Sequence, residues 1–180
     1  NSTDTYKIIG EFAPVDWMRF RGGYNRAVRA PNILNLFSPN RVALFQGSDP
    51  CAGATPTFTM AQCNNLGVPD ARYGSIAASP AAQYNQFIGG NEDLTPEKAD
   101  TYTVGVVIEP DMVIPGFVMA VDYYNIQIEN AISTIGAQTI INQCGQTGDA
   151  TLCGFVNRNP GSLTLWTPGS SVTNTTRNIG

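Results

Sequence analysis

From Met18 the chain alternates. Met18, Phe20, Gly22 and Tyr24 fall on one face of an extended chain, and Arg19, Arg21, Gly23 and Asn25 on the other. That period of two predicts a strand with one apolar and one polar face. It runs through Arg26 and Arg29 and stops at Pro31, which cannot donate to a ladder and drives Ala30 toward an extended conformation. Such a strand suits a barrel wall facing lipid, and equally a half-buried strand of a soluble sandwich. Upstream, Tyr6, Ile8, Gly10 and Phe12 alternate with Lys7, Ile9 and Glu11. Pro14–Val15–Asp16 supplies a tight turn, so 5–29 reads as a hairpin. A second hairpin is predicted over 98–129. Tyr102, Val104, Val106 and Ile108 alternate with Thr101, Thr103, Gly105 and Val107; Phe117, Met119, Val121 and Tyr123 alternate with Val118, Ala120, Asp122 and Tyr124. Pro115–Gly116 marks its turn. Near Asn125 the apolar phase slips to Ile126 and Ile128, which predicts a bulge.

Between the hairpins, 30–97 is long and rich in Pro, Gly, Asn and Ser, with helical turns expected at 32–37 and 60–66. A connection of this length signals function or disorder. After the second hairpin, 130–162 forms another long loop, with a short helix at 137–144, a turn at 155–160 and a short strand at 162–166. The polar stretch 170–178 carries no assignment, and 163–180 reads as the start of a further strand.

The run 20–39, FRGGYNRAVRAPNILNLFSP, resembles the "R-x-S-Y-s-R-A-v-R-A-P-n-l-x-E-L-F-s-P" segment of TonB-dependent outer-membrane receptors, of the proteobacterial type. The run 90–102, GNEDLTPEKADTY, resembles that family's "G-N-P-x-L-k-P-E-k-a-d-t-y" signature, and 121–132, VDYYNIQIENAI, resembles "s-v-D-Y-y-x-I-x-i-x-n-A-I". The positions that carry the first two matches are Arg26, Arg29, Pro31, Leu36, Phe37, Asn91, Leu94, Pro96 and Glu97. Asn35 stands where the family usually has an acidic residue, and Glu92 where it often has Pro. The resemblance implies an all-β fold: antiparallel strands of a transmembrane barrel, with both long connections, 30–97 and 130–162, as extracellular loops and the short turns periplasmic. It implies a bacterial outer-membrane location and active import of a scarce nutrient such as an iron–siderophore, cobalamin or an oligosaccharide. The expected partners of the intact parent are the TonB complex, a small nutrient ligand and outer-membrane lipid. Signal peptide, TonB box, plug and most barrel strands are expected to lie outside the chain, which then reads as a fragment from the later part of the barrel.

Composition fits this picture. Hydrophobic residues make up 42% and charged residues only 13%. No run of eighteen apolar residues exists, and a barrel spreads its membrane signal over short alternating segments. A net charge of −4 argues against nucleic acid. The four cysteines, Cys51, Cys63, Cys144 and Cys153, allow three pairings. The local pairs Cys51–Cys63 and Cys144–Cys153 close small loops and are the expected bridges. Metal binding is disfavoured, because the sequence has no His and no Cys-x-x-Cys.

Arg19, Arg21, Arg26 and Arg29 form the one basic cluster. They are expected either to contact the plug or an anionic ligand, or to fix register against carboxylates such as Glu11 or Asp122. Glu97, Lys98 and Asp100 read as charges at a strand entry. Asp122 and Glu129 suggest a paired acid and base only if geometry brings them together. Without His, a P-loop, G-x-S-x-G or G-x-G-x-x-G, neither an enzyme nor a cofactor is expected. Trp17, Tyr24, Tyr102, Phe117, Tyr123 and Tyr124 are expected near strand ends, as in a membrane-interface girdle. Asn1–Ser2–Thr3 and Asn174–Thr175–Thr176 match the glycosylation pattern, by chance if the protein is bacterial. One alternative follows from the fragment's own edges. Two unpaired strands and an exposed apolar face favour self-association, so the isolated chain is also expected to form a homo-oligomer or an extracellular amyloid-like filament of cross-β layers.

Overall fold

A computed structural model describes residues 3–180. In chain order its elements are β1 (Tyr6–Val15), β2 (Met18–Arg29), α1 (Ile33–Phe37), β3 (Arg41–Gln46), α2 (Met60–Asn65), β4 (Gln83–Ile88), β5 (Glu97–Ile108), β6 (Met119–Glu129), β7 (Ala131–Ser133), α3 (Ala137–Thr147), α4 (Ala150–Cys153), β8 (Val156–Asn157), β9 (Ser171–Thr173) and β10 (Arg177–Ile179). They divide into two compact units, one of 1–31, 94–132 and 178–180, the other of 32–93 and 133–177.

The first unit is an open antiparallel sheet in the order β1-β2-β5-β6. Alternation builds it. Because the register is in phase across all four strands, the large apolar side chains of their middle stretches align on one side, while Ile9, Val107, Ile126 and Ile128 lie on the other. Phe12 pairs with Phe20, Phe20 with Val106 and Val106 with Val121. Ile8, Phe12, Phe20, Val104 and Val121 remain exposed there. The strands run 10 to 12 residues, enough to cross a hydrocarbon layer when tilted.

The bulge expected near Asn125 is absent. Pairing of β5 with β6 is continuous from Lys98↔Glu129 to Ile108↔Met119. Ile126 and Ile128 therefore share a face with Asp122 and Tyr124; the side-chain chemistry changes along β6 while the backbone phase does not. The register shift lies in β1, between Phe12 and Val15, where Pro14 has no N–H to give the ladder. Tyr24, Tyr102, Tyr123 and Tyr124 sit mid-strand, not at a strand end as expected of a girdle.

The second unit has its own core, and the two long connections are not irregular. β3, β4, β9 and β8 form a mixed sheet in that order, with β4 and β9 parallel. Helix α3 presents Ala137, Ile140, Ile141, Cys144 and Gly145 inward, a spacing of i, i+3, i+4, i+7 and i+8. It packs among Cys51, Cys63, Leu66, Val68, Ile76, Leu165 and Val172. Gly145 is required by contact, because a Cβ there would strike the Phe58 ring. Gly148 ends α3 with φ near 65°, a conformation glycine adopts freely. Helix α2 is capped reciprocally by Thr59 and Gln62.

The strand expected at 162–166 does not form. Leu163 has φ near 59°, which breaks extension, and Asn159 Oδ1 folds the segment by accepting from Gly161 and Ser162 N–H. Nor is 163–180 the start of one strand: it holds β9, paired with β4 and β8, and β10, paired with β7.

Candidate functional site

All four arginines of the basic cluster are paired. On the polar face of the sheet Arg19 lies 4.0 Å from Glu11. Arg21 makes a two-pronged bond to Asp122, with Nε at 2.8 Å from Oδ1. These residues stand on β2 and β6, with β5 between them. The path crosses Gly105, the register partner of both. A Cβ on Gly105 would meet the Asp122 carboxylate and come within 3.2 Å of Arg21 Nε, so the missing side chain clears the way for the pair. This face lines a groove of about 630 Å³ that includes Lys7, Glu11, Arg21, Thr103, Asp122 and Tyr124.

The opposite face ends differently. Tyr6, Tyr24 and Tyr102 cluster there, with ring centroids 5.6 Å and 4.8 Å apart. Beside them Asp100 accepts from Arg26 Nε at 2.8 Å, Arg26 Nη2 at 2.7 Å and the Tyr24 hydroxyl at 2.6 Å. Arg29 pairs with Glu97, its register partner. The residues of the two sequence runs, distant in the chain, thus meet through β2 and β5. They meet again in the second unit: Asn91 N–H donates to Asn35 O at 2.8 Å and Gly90 N–H to Ser38 O at 2.9 Å. Gly90 fits only because a Cβ would collide with the Leu36 carbonyl and lie 2.7 Å from Ser38 N. Asn91 Nδ2 also donates to Thr176 O at 3.1 Å. Leu94 is buried, Leu36 is half-buried, and Phe37 is exposed. Pro31 closes the first unit's β2 segment, and Pro96 precedes β5.

The second unit is held by three staples. Cys51 bonds Cys63 and Cys144 bonds Cys153, with Cα atoms 5.7 Å and 4.8 Å apart. The third is ionic. Arg158 donates to Asp49 at 2.6 and 2.8 Å, to Leu66 O at 2.9 Å and to Leu163 O at 2.8 Å. Its side chain is 4% exposed and that of Asp49 1%. One guanidinium thereby joins the two long connections inside a single core. Neither residue stands out in the sequence, because the partners are 109 positions apart and no local pattern links them.

Asn174 is not free for modification: its Oδ1 accepts from Gly136 N–H and its Nδ2 donates to Gln86 Oε1. Asn1–Ser2–Thr3 lies outside the described residues at its first two positions. Asp122 bonds Arg21 as a carboxylate and Glu129 lies at the far end of β6, so the two do not form an acid–base pair. Among the described residues no helix is long and apolar enough to cross a membrane, and no group of three or more potential metal ligands converges.

The family described as TonB dependent receptor-like, beta-barrel, matches residues 1–179. The chain belongs to this family. It is accordingly a segment of a TonB-dependent receptor barrel, as the two signature runs imply. Among curated proteins none matches it in sequence. Solved structures resemble it in fold. A variant of the ferric enterobactin receptor PfeA of Pseudomonas aeruginosa, in complex with enterobactin, is 15% identical, covering 96% of this chain and 17% of that one at a TM-score of 0.52. The siderophore receptor PirA of Acinetobacter baumannii is 12% identical, covering 97% of this chain and 18% of that one at a TM-score of 0.51. The chain spans between 17% and 22% of the length of such receptors.

Proposed function

We propose that this segment serves an outer-membrane importer, its first unit as part of the wall and its second as a folded unit built from two external loops. The first unit supplies four neighbouring wall strands, with Val104, Val106, Met119 and Val121 toward lipid and the Arg21–Asp122 face toward the lumen. The connections at 16–17 and 109–118 lie on the periplasmic side, and the stapled unit lies outside. The observation that carries this reading is the division of chemistry along one in-register sheet: exposed Ile8, Phe12, Phe20 and Val121 on one face, whose only ion pair among the described residues is Arg26–Asp100 toward the Arg29–Glu97 end, and Glu11–Arg19 and Arg21–Asp122 on the other. Lipid accepts the first face and a water-filled lumen or plug the second. Import would be driven through the TonB complex. A siderophore is the leading cargo, since the structural neighbours are named as siderophore and ferric enterobactin receptors; cobalamin and oligosaccharides are the other candidates. The filament alternative gains no support from family or fold.

The test is uptake by cells that carry or lack the receptor gene containing this segment, with and without TonB. Radiolabelled ferric siderophores, cobalamin and oligosaccharides are supplied in turn. Accumulation of one class, lost on deleting either gene, is the expected result. Equal accumulation of every class in all strains overturns the reading.

A further inference from the structure

We infer that the second unit contains a binding subsite for a small oxyanion, a carboxylate or phosphate group on a polar ligand, centred on Arg41. A pocket of about 390 Å³ opens between the start of β3, the end of β4 and the segment at 174–176, and Arg41, Ser38, Thr134 and Thr176 contribute to its lining. No carboxylate lines it. Arg41 is the register partner of Ile88. Unlike the four arginines of the sheet and Arg158, it has no acidic partner within 4.0 Å among the described residues. Nor does its guanidinium, on an exposed residue open to solvent, make a hydrogen bond there. Among the described residues the hydroxyls of half-buried Ser38 and Thr176 and of exposed Thr134 make no hydrogen bond either.

The rest of the wall is already committed. Gly136 N–H donates to Asn174 Oδ1 at 3.2 Å, Asn174 Nδ2 to Gln86 Oε1 at 3.1 Å, and Gln86 Nε2 to Leu44 O at 3.4 Å. This relay holds both amides in place and occupies their oxygens. What remains to a ligand is a planar fork of N–H donors and three hydroxyls that can donate. A guanidinium has no acceptor, and its fork matches a carboxylate or phosphate edge with two parallel bonds. The arginine charge and the absence of any carboxylate in the lining therefore favour an anionic oxygen group over a cation. The inference rests on the import reading for its role as a cargo subsite, and on the pocket alone for binding.

The experiment titrates citrate and, separately, inorganic phosphate into the purified full-length receptor in detergent, followed by calorimetry. The proteins are wild type, Arg41→Gln, Arg41→Lys, Ser38→Ala/Thr134→Ala and, as a control on an exposed arginine elsewhere, Arg72→Gln. We expect binding of at least one probe. Arg41→Gln weakens it about tenfold, as loss of a charged hydrogen-bonding partner does. Arg41→Lys weakens it less, having charge without the fork. Ser38→Ala/Thr134→Ala weakens it modestly, and Arg72→Gln leaves it unchanged. Preference for citrate or phosphate tells which oxyanion the site takes. Near-UV circular dichroism of each variant excludes unfolding as the cause. Equal binding by wild type and Arg41→Gln, an adventitious anion site elsewhere, or no binding of either probe overturns the inference. Since the assay needs neither TonB nor transport, failed uptake with intact binding removes only the import reading. Intact uptake with failed binding removes only this one.

Discussion

Asp49 and Arg158 are each held by several partners in a site closed to solvent. Asp49 also accepts from Cys51 N–H at 3.0 Å. Removing one member leaves a buried charge without its counterpart, which costs roughly 3–5 kcal/mol. Arg158→Met or Asp49→Leu should each destabilise the second unit by about that much. The double variant should recover a large part of the loss, because burying neither charge is cheaper than burying one. Urea unfolding followed by Trp166 fluorescence checks both. At Gly105 the logic is steric. Gly105→Val puts a branched side chain in the path from Arg21 to Asp122, so the pair must open and the variant should melt at a lower temperature than wild type. Both partners are half exposed, so a modest shift is expected, well short of that at Arg158. If Gly105→Val melts with wild type, the glycine is not serving that pair.

At the level of elements, the wall strands test their own orientation. In the intact receptor, Arg in place of Val106 should cost roughly 2–4 kcal/mol near the bilayer midplane. Arg in place of Thr103, on the other face, should cost much less. Reversible folding into lipid vesicles measures both, and equal costs would reverse or abolish the assignment of faces. These strands were legible in the sequence because their period of two extends over 10 to 12 residues and is kept in phase by neighbours. Helices α1 and α2 were legible as helical turns and α3 through its spacing at 137–144, although α3 runs on to Thr147; the Asn32 and Thr59 caps are seen only in the structure. The small sheet was not. β3 and β4 are six residues each, and β9 only three, too short for alternation to register. Their pairing depends on contacts between distant segments. The bulge was misplaced for a related reason: Ile126 and Ile128 mimic a phase change, while the real irregularity at Pro14 leaves the hydrophobic pattern undisturbed.

At the scale of the whole molecule, the two units rest on different supports. The sheet depends on its ladders and, in the wall proposed for it, on lipid; the second unit depends on a packed core and two disulfides. Each bridge closes a loop of about a dozen residues or fewer and is worth roughly 2–4 kcal/mol. Reduction should therefore loosen one unit selectively. Hydrogen exchange on the intact receptor in lipid, with and without dithiothreitol, should show faster exchange across 49–76 and 137–166 and little change in β2 and β5. Uniform acceleration everywhere would mean that the stability of the sheet depends on the bridges after all.

The spacing of the staples also sets an order of assembly. The bridges join residues 12 and 9 apart in sequence, so each can close on a short, freshly delivered stretch of chain. The Asp49–Arg158 bond and the parallel pairing of β4 with β9 wait for segments 109 and 86 residues later, and closing so long a loop is slow. The chain would thus pass through a stage in which Cys51–Cys63 is closed while the apolar side chains around Val68 and Ile76 are still uncovered; Cys144–Cys153 comes with the later segment itself. The lifetime of such a species is governed by the rate at which the later segment arrives.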